Sequence, residues 1–322
     1  MSEAPSETMW RPTARLSTLQ QRARLLRATR DYFAATRALE VETPTLSAAA
    51  VSDVHLASVQ VTVCGKPAWL HTSPEYAMKR LLAAGSGDIY QIARVYRDGE
   101  TGRYHNPEFT MIEWYRLNQD HHQLMDDVEQ LLGCLMPARC IDRSERLTYQ
   151  EAVQLHAQVD ALNDPASLLL ATLRNANIDV PADLEQDRDG LLDLIMAVMV
   201  GPNLGRQRLT FVYDYPASQA ALARVRGPVA SRFELYLDGL ELANGFHELG
   251  NAPEQRQRFL HDLQQRQRRG LRVPPLDEHF LAALEHGLPD CAGVALGFDR
   301  VVMCAVGAEH IDEVLAFPHA RA

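Results

Sequence analysis

The sequence predicts an α+β protein: an antiparallel sheet flanked by helices. Three observations carry this. Apolar residues recur at helical spacing from Leu19 to Phe33, short strand-like segments interleave with helical ones, and Leu237-Asp238-Gly239-Leu240 is a two-residue hairpin signal. Asp-Gly tolerates the positive φ that such a turn requires.

The elements follow in order. Leu19, Leu26 and Phe33 share a helical face, with Leu25 and Tyr32 beside them, so a helix is expected over residues 19–39 behind a flexible tail, residues 1–18. Val41-Glu42-Thr43-Pro44 must be extended, because the residue before a proline avoids the helical region. Thr72-Ser73-Pro74-Glu75 reads as a helix start, with a hydroxyl cap, a first-turn proline and an acid at the positive end of the dipole. That helix runs through Met78 and Leu82 and stops at Gly85. Residues 89–97 and 108–116 read as strands, and the polar segment 98–107 as a mobile loop. Residues 123–132 are helical, and 135–205 form a mostly helical insertion. Strands return at 209–215, 232–237 and from 240 onward, before a last helix near 299–305. Nothing requires more than one domain over 19–322.

Composition sets outer bounds. Of 322 residues, 46% are hydrophobic and 23% charged, an ordinary globular balance. No secretory signal is visible, and the most apolar stretch, 191–200, falls far short of the ~20 residues that span a bilayer. Five scattered cysteines without Cys-x-x-Cys spacing suit reduced thiols in a cytoplasmic protein and argue against zinc. A net charge of −10 disfavours non-specific nucleic-acid binding. Six arginines interleave with glutamines between Arg256 and Arg272; a solvated helix face is the ordinary reading, an acidic partner the alternative.

Several side chains could carry chemistry. The hairpin turn pairs Tyr236 with Glu241 and Glu234 with Ala243, which places Glu234 and Glu241 diagonally on one face, roughly 7–8 Å apart. Geometry alone favours a solvated polar face; the alternative is a shared divalent cation such as Mg²⁺. Glu113 and Tyr115 share a strand face with Phe109 and Met111. A carboxylate there needs either a structural Arg or Lys or a cationic ligand, and the structural partner is the commoner answer. Glu75 fits a helix-dipole acid. Arg97 fits either a surface arginine or a phosphate clamp. Gly297-Phe298-Asp299-Arg300 could be a plain helix start, with Gly293 and Gly297 letting a ligand approach the backbone.

The order of these motifs is more specific than any one of them. Glu40-Val41-Glu42-Thr43-Pro44 resembles the first signature motif of class II aminoacyl-tRNA synthetases. Arg97, followed by His105-Asn106-Pro107-Glu108-Phe109-Thr110 and Glu113-Trp114-Tyr115, resembles the second, and Gly297-Phe298-Asp299-Arg300 the third. Thr72-Ser73-Pro74-Glu75 and Glu241-Leu242-Ala243-Asn244-Gly245-Phe246-His247-Glu248 are similar to the lysine branch. Only about two dozen residues precede the first-motif helix, fewer than the ~40 that a domain needs to fold alone, so no anticodon-binding domain is expected there. A lysine-type catalytic core without that reader resembles the elongation factor P–(R)-β-lysine ligase family. Gly102-Arg103-Tyr104-His105, Trp114 and Ala295 fit that family better than the true synthetases.

Carried over residue by residue, the resemblance implies an ATP-binding set of Arg97, Asp98, Gly99, Glu100, Asn106, Glu241, Leu242, Gly297 and Arg300. Arg97 would hold the α-phosphate and Arg300 the γ-phosphate as the catalytic pair. Glu234 and Glu241 would hold Mg²⁺. Ser73, Pro74, Glu75, Glu113, Tyr115, Asn244, Phe246 and Glu248 would surround the amino acid, and Pro44 would lie in a homodimer interface. One departure is clear: Gly99 stands where the motif has an adenine-contacting glutamate, so Glu100 or the Gly99 backbone is expected to replace it.

The implied activity is ATP-dependent adenylation of (R)-β-lysine or lysine, followed by transfer to a lysine side chain of elongation factor P. Glu75, Glu113 and Glu248 would form an acidic pocket for a substrate with two amino groups, and the Ala295 methyl would reshape it towards β-lysine. The competing readings are a minimal synthetase that charges tRNA, a non-catalytic regulatory paralogue, and an amide-forming relative acting on aspartate. The phosphate and metal set argues against the second, and Glu75 against the third.

Overall fold

A computed structural model describes residues 10–139, 142–206 and 208–322. Part of the expected tail, and Cys140, lie outside these. In chain order the elements are helix α1 (Leu16–Ala35), strands β1 (Leu39–Glu40), β2 (Leu46–Ser47), β3 (Gln60–Val63) and β4 (Lys66–Leu70), helix α2 (Glu75–Ala83), and strands β5 (Ile89–Tyr96) and β6 (Glu108–Leu117). Helix α3 (His121–Leu135), strand β7 (Glu145–Thr148) and helices α4 (Tyr149–Ala157), α5 (Ala166–Asn175) and α6 (Arg188–Ile195) follow, and α6 continues into a π-helical turn at Met196–Val200. Strands β8 (Thr210–Pro216), β9 (Val225–Arg226), β10 (Val229–Leu237) and β11 (Leu240–His247) come next. Helices α7 (Ala252–Arg268) and α8 (Glu278–Gly287), strand β12 (Cys291–Gly297) and helix α9 (Phe298–Val306) complete the set. The α+β expectation holds. Among the described residues, no helix is long and apolar enough to cross a membrane.

The chain divides into two compact units, and the division is interleaved. One unit takes the chain up to Trp114, Asn251–Leu288 and Leu296–Ala322; the other takes Tyr115–Gly250 and Pro289–Ala295.

In the first unit, α1 starts and stops earlier than the periodicity suggested. Arg37 adopts a left-handed φ of 61°, which ends the helical path, and Leu39 instead pairs in parallel with Ile89 at the start of β5. Residues 13 and 14 are not loose tail: their amides donate to Ala316 O and Leu315 O at 2.8 and 3.1 Å. The buried face of α1 is Leu25, Thr29, Tyr32 and Phe33. Phe33 stacks on Tyr90 with ring centres 4.2 Å apart and meets the edge of Trp114 at 5.4 Å. A small antiparallel sheet, β2-β4-β3, stands beside this core in sequence.

The second unit contains the strand run β12-β11-β10-β8-β7. Its last pairing corrects two expectations. Strand β7 lies inside the segment read as mostly helical, and it pairs parallel to β8, Glu145 opposite Thr210. With β1–β5 also parallel, the sheet is mixed rather than wholly antiparallel. Helix α3 begins at His121 because Asp120 and Gln123 form a capping box, which lengthens it beyond its apolar stripe. The insertion helices place Tyr149, Val153, Leu169, Leu192 and Ile195 in one core with Val212 and Tyr215 of β8 and Tyr236 of β10.

Helix α1, strand β6 and helix α9 meet at one buried carboxylate in the first unit. Asp299 is 2% exposed. It forms an ion pair with Arg22 of α1 and accepts the Thr110 amide of β6 at 2.8 Å, while Arg22 also donates to the Thr110 hydroxyl at 2.8 Å. Removing one partner of a buried pair leaves the other charge stranded. Arg22→Ala should destabilise the fold by about 3–5 kcal/mol, read as a lower midpoint in urea. Arg22→Lys should recover only part, because an ammonium lacks the fork that serves both acceptors.

Candidate active site

The site residues expected from sequence fall into both units, and each half has its own geometry. In the first unit, Ser73, Pro74 and Glu75 open α2. Ser73 Oγ accepts the Glu75 amide at 3.3 Å, and Pro74 occupies the N-cap. Ser73 and Pro74 line a cavity of about 350 Å³ together with Pro44, Leu46, Tyr76 and Arg80. Glu75 is not a bare pocket acid: Lys79, one turn on and 1% exposed, donates to its Oε1 at 2.6 Å. The dication pocket of three uncompensated carboxylates is corrected to that extent. Glu113 is buried at 2% exposure on β6.

Arg97 closes β5, and its guanidinium lies 5.1 Å from the centre of the Phe109 ring. Its NH1 is 3.5 Å from Glu100, and its buried Nε has no hydrogen-bond partner among the described residues. A buried donor left without an acceptor is an unsatisfied demand for an anion. Glu100, the expected substitute for the adenine-contacting acid, is thus engaged by Arg97 itself. Gly99 has a φ of +78°, which favours glycine, and the Asp98 amide donates to Ala57 O at 2.8 Å.

The segment 98–107 was expected to be a mobile loop, but it is tied down. Gly102 and His105 exchange backbone hydrogen bonds of 3.2 and 3.3 Å. Arg103 Nε donates to Glu309 O at 2.8 Å, and the Arg103 carbonyl accepts the Ile311 amide at 2.9 Å. Arg300, near the start of α9, donates to the Tyr104 carbonyl at 3.4 Å and to His105 Nε2 at 2.7 Å. Burial and the neighbouring Arg300 charge hold the His105 pKa below its ordinary 6.5, which keeps that nitrogen an acceptor. Asn106 is 7% exposed; its Nδ2 donates to Glu108 O at 2.6 Å and its Oδ1 accepts the His319 amide at 3.0 Å. Gly297 caps α9.

In the second unit, the hairpin turns at Asp238-Gly239 with φ of 53° and 76°, and Tyr236 faces Glu241 as expected. The register then slips. A bulge sets Leu235 opposite Ala243 and Glu234 opposite Asn244, not Ala243. Leu242 is the surplus residue, buried at 2% and opposite no residue of β10. The slip re-aims the strand so that Asn244 joins Glu234, Tyr236 and Glu241 on one face. Asn244 Oδ1 is buried and has no hydrogen-bond partner among the described residues.

Glu234 is deeply held. Its Oε1 accepts from Arg232 and its Oε2 from the Tyr236 hydroxyl, each at 2.6 Å. Burial opposes the Arg232 charge, but the Glu234 carboxylate beside it raises the Arg232 pKa above the usual arginine range. The same guanidinium lies 4.3 Å from the centre of the Tyr215 ring. Among the described residues, no three His, Cys, Asp or Glu side chains gather as a metal cage. Each Glu234 oxygen keeps a second lone pair, so Glu234 and Glu241 suit a Mg²⁺ that draws its other ligands from phosphate and water.

Glu248, at 1% exposure, ends the motif. A Cβ on Gly293 would lie 2.2 Å from the Tyr115 ring and 2.5 Å from Glu248 Oε1. Gly293 therefore makes room for the protein's own Tyr115 and Glu248 rather than for ligand backbone contact. A Cβ on Gly245 would meet Phe233 at 2.5 Å, and Phe246 packs against Ala220, Ala223 and Ala230. Sequence reasoning missed Lys79, Arg232 and Tyr236. Their signals were there: Glu75 and Lys79 are one helical turn apart, and Arg232, Glu234 and Tyr236 alternate along one strand.

Residues 8–321 match the family of class II tRNA synthetases (D, K and N). The chain is 49% identical over 331 aligned positions, covering all of both chains, to the elongation factor P–(R)-β-lysine ligase of Yersinia enterocolitica. It is 50% identical to the protein of the same name from Vibrio cholerae, over 97% of this chain and 98% of that one. The Photobacterium profundum counterpart is 48% identical over 96% of this chain and 98% of its own.

Two outcomes follow from this geometry. Gly293→Ala should displace Tyr115 and Glu248 and raise the KM for the amino acid while leaving the KM for ATP near the wild-type value, measured by steady-state kinetics. The folded pKa of His105 lies below its unfolded value, so the unfolded chain binds more protons between the two, and stability falls as pH drops through about 6.5. Calorimetry between about pH 7.5 and 5.5 should show that fall, with a shallower slope in His105→Gln.

Proposed function

Because the chain belongs to the class II tRNA synthetase family (D, K and N), we propose that it uses ATP to activate (R)-β-lysine, or lysine, as an adenylate and transfers it to a lysine side chain of elongation factor P. The observation that carries this reading is Arg97, whose buried Nε has no hydrogen-bond partner among the described residues and so suits a phosphate oxygen. Asn244 Oδ1, an acceptor in want of a donor, supports an amine within reach of β11.

The substrate carboxylate is ionised at neutral pH, so the first step needs no base. Its oxygen attacks the α-phosphorus of ATP and pyrophosphate departs. In this reading Arg97 neutralises charge on that phosphate through its fork, and Arg300 on the distal phosphate. Glu234 and Glu241 would hold Mg²⁺, which would supply further charge neutralisation on the phosphate oxygens. In the second step the neutral amine of the acceptor lysine attacks the acyl carbon, and AMP leaves. Homodimerisation through the Pro44 segment and action in the cytoplasm belong to the same reading; the exposed Leu39 and Leu46 on either side of Pro44 support the first.

The test is ATP–pyrophosphate exchange with (R)-β-lysine, α-lysine and aspartate, followed by transfer of labelled product to elongation factor P or to tRNA. Exchange with β-lysine or lysine and transfer to the protein are expected. Transfer to tRNA alone, or exchange with aspartate, would overturn the reading. Arg97→Ala should raise the barrier by about 2.7–4 kcal/mol, on the scale of a lost oxyanion donor, with folding intact.

A further inference from the structure

In the second unit, the main chain of Glu248 is gripped from both sides. Its amide donates to Cys291 O at 3.0 Å, and its carbonyl accepts from Arg224 Nε at 2.8 Å. Arg224 extends its other end to Asp290 Oδ1 at 2.6 Å, and its own amide donates to the His247 carbonyl at 2.9 Å. Asp290 directly precedes β12, so one arginine links the end of β11 to the start of β12.

The third member is His247, 4% exposed and on the opposite strand face from Glu248. Its Nε2 lies 2.9 Å from the same Asp290 Oδ1, and its Nδ1 lies 3.2 Å from an Arg226 guanidinium nitrogen. A guanidinium can only donate, so Nδ1 must carry the lone pair and Nε2 the proton. The imidazole is therefore neutral in a single tautomer, in keeping with the lowering of its pKa by burial. Asp290 Oδ1 accepts from both His247 and Arg224, which makes it the joint of the cluster. None of these side chains is part of the ATP, metal or amino-acid set described above.

We propose that Arg224, Asp290 and His247 form a positioning clamp that fixes Glu248 against Tyr115 and Gly293, and so sets affinity for the substrate amine without touching the substrate. The proposal rests on the amine-binding reading of Glu248. Its consequence is a selective one. Loosening the clamp leaves the Glu248 amide bonded to Cys291 but lets the residue pivot about that bond, which weakens ammonium binding while the phosphate-binding arginines keep their own partners.

The experiment compares wild type with Arg224→Ala, Asp290→Ala and Asp290→Asn in pyrophosphate exchange, in calorimetric titration with (R)-β-lysine and α-lysine, and in thermal unfolding. Arg224→Ala and Asp290→Ala should raise the KM and Kd for the amino acid by about tenfold or more, the scale of one lost charged hydrogen bond. Their kcat at saturation and their KM for ATP should stay within about twofold of wild type. Asp290→Asn keeps an Oδ1 acceptor for both donors and should stay within about threefold of wild type in amino-acid KM. If Arg224→Ala fails to fold, the pair of Asp290 variants decides. Amino-acid affinity unchanged in the alanine variants, a matching rise in the KM for ATP, or Asp290→Asn as weak as Asp290→Ala would overturn the clamp while leaving the proposed activity standing. Neither exchange nor binding by the wild type would overturn the activity, and the clamp with it.

Discussion

A carboxylate removed from water must be met by charge or by several donors. Asp299 satisfies that demand with Arg22 and the Thr110 amide, and in doing so ties together three segments far apart in sequence. Helix α1 supplies the cation, β6 the amide, and α9 begins one residue before the acid. The position of Arg300 follows from this, because it is the next residue along that helix. Arg22 also lies over the Phe298 ring, 5.0 Å from its centre, so apolar contact and ion pairing hold the same junction.

The same demand recurs at two of the acids expected to await a ligand. Glu75 has Lys79, and Glu234 has Arg232 and the Tyr236 hydroxyl. Such internal compensation orients a carboxylate before any substrate arrives, at the expense of its net pull on a cation. Glu248 is treated differently. Its backbone is held by Arg224 and Cys291, and its side chain lies beside Tyr115 and Gly293.

Much of the fold was legible because it follows from local rules. The Asp238-Gly239 turn, the Ser73-Pro74 helix start and the stop before Gly85 each depend on the conformational preference of one or two residues, and each lies where the sequence placed it. The end of α1 was misjudged because apolar spacing continues to Leu39 after Arg37 has already turned the backbone left-handed. Strand β7 was hidden because Glu145–Thr148 has little apolar alternation of its own; its register comes from β8. The slip at Leu242 was also invisible, since an Asp-Gly turn fixes register only close to the turn. The candidate site residues could be named from motif order, but their partners could not, because Lys79 and Arg232 carry no mark that separates a counter-ion from a surface charge.

Residues 309–319 are tied to the segment proposed to face the nucleotide. The His319 amide reaches Asn106, the Ile311 amide reaches Arg103, and Glu309 receives the Arg103 side chain. A fusion partner or purification handle built onto Ala322 would therefore pull on the residues proposed to cradle the nucleotide. Workers who immobilise the protein through that end should expect distorted ATP affinity even though the fold survives.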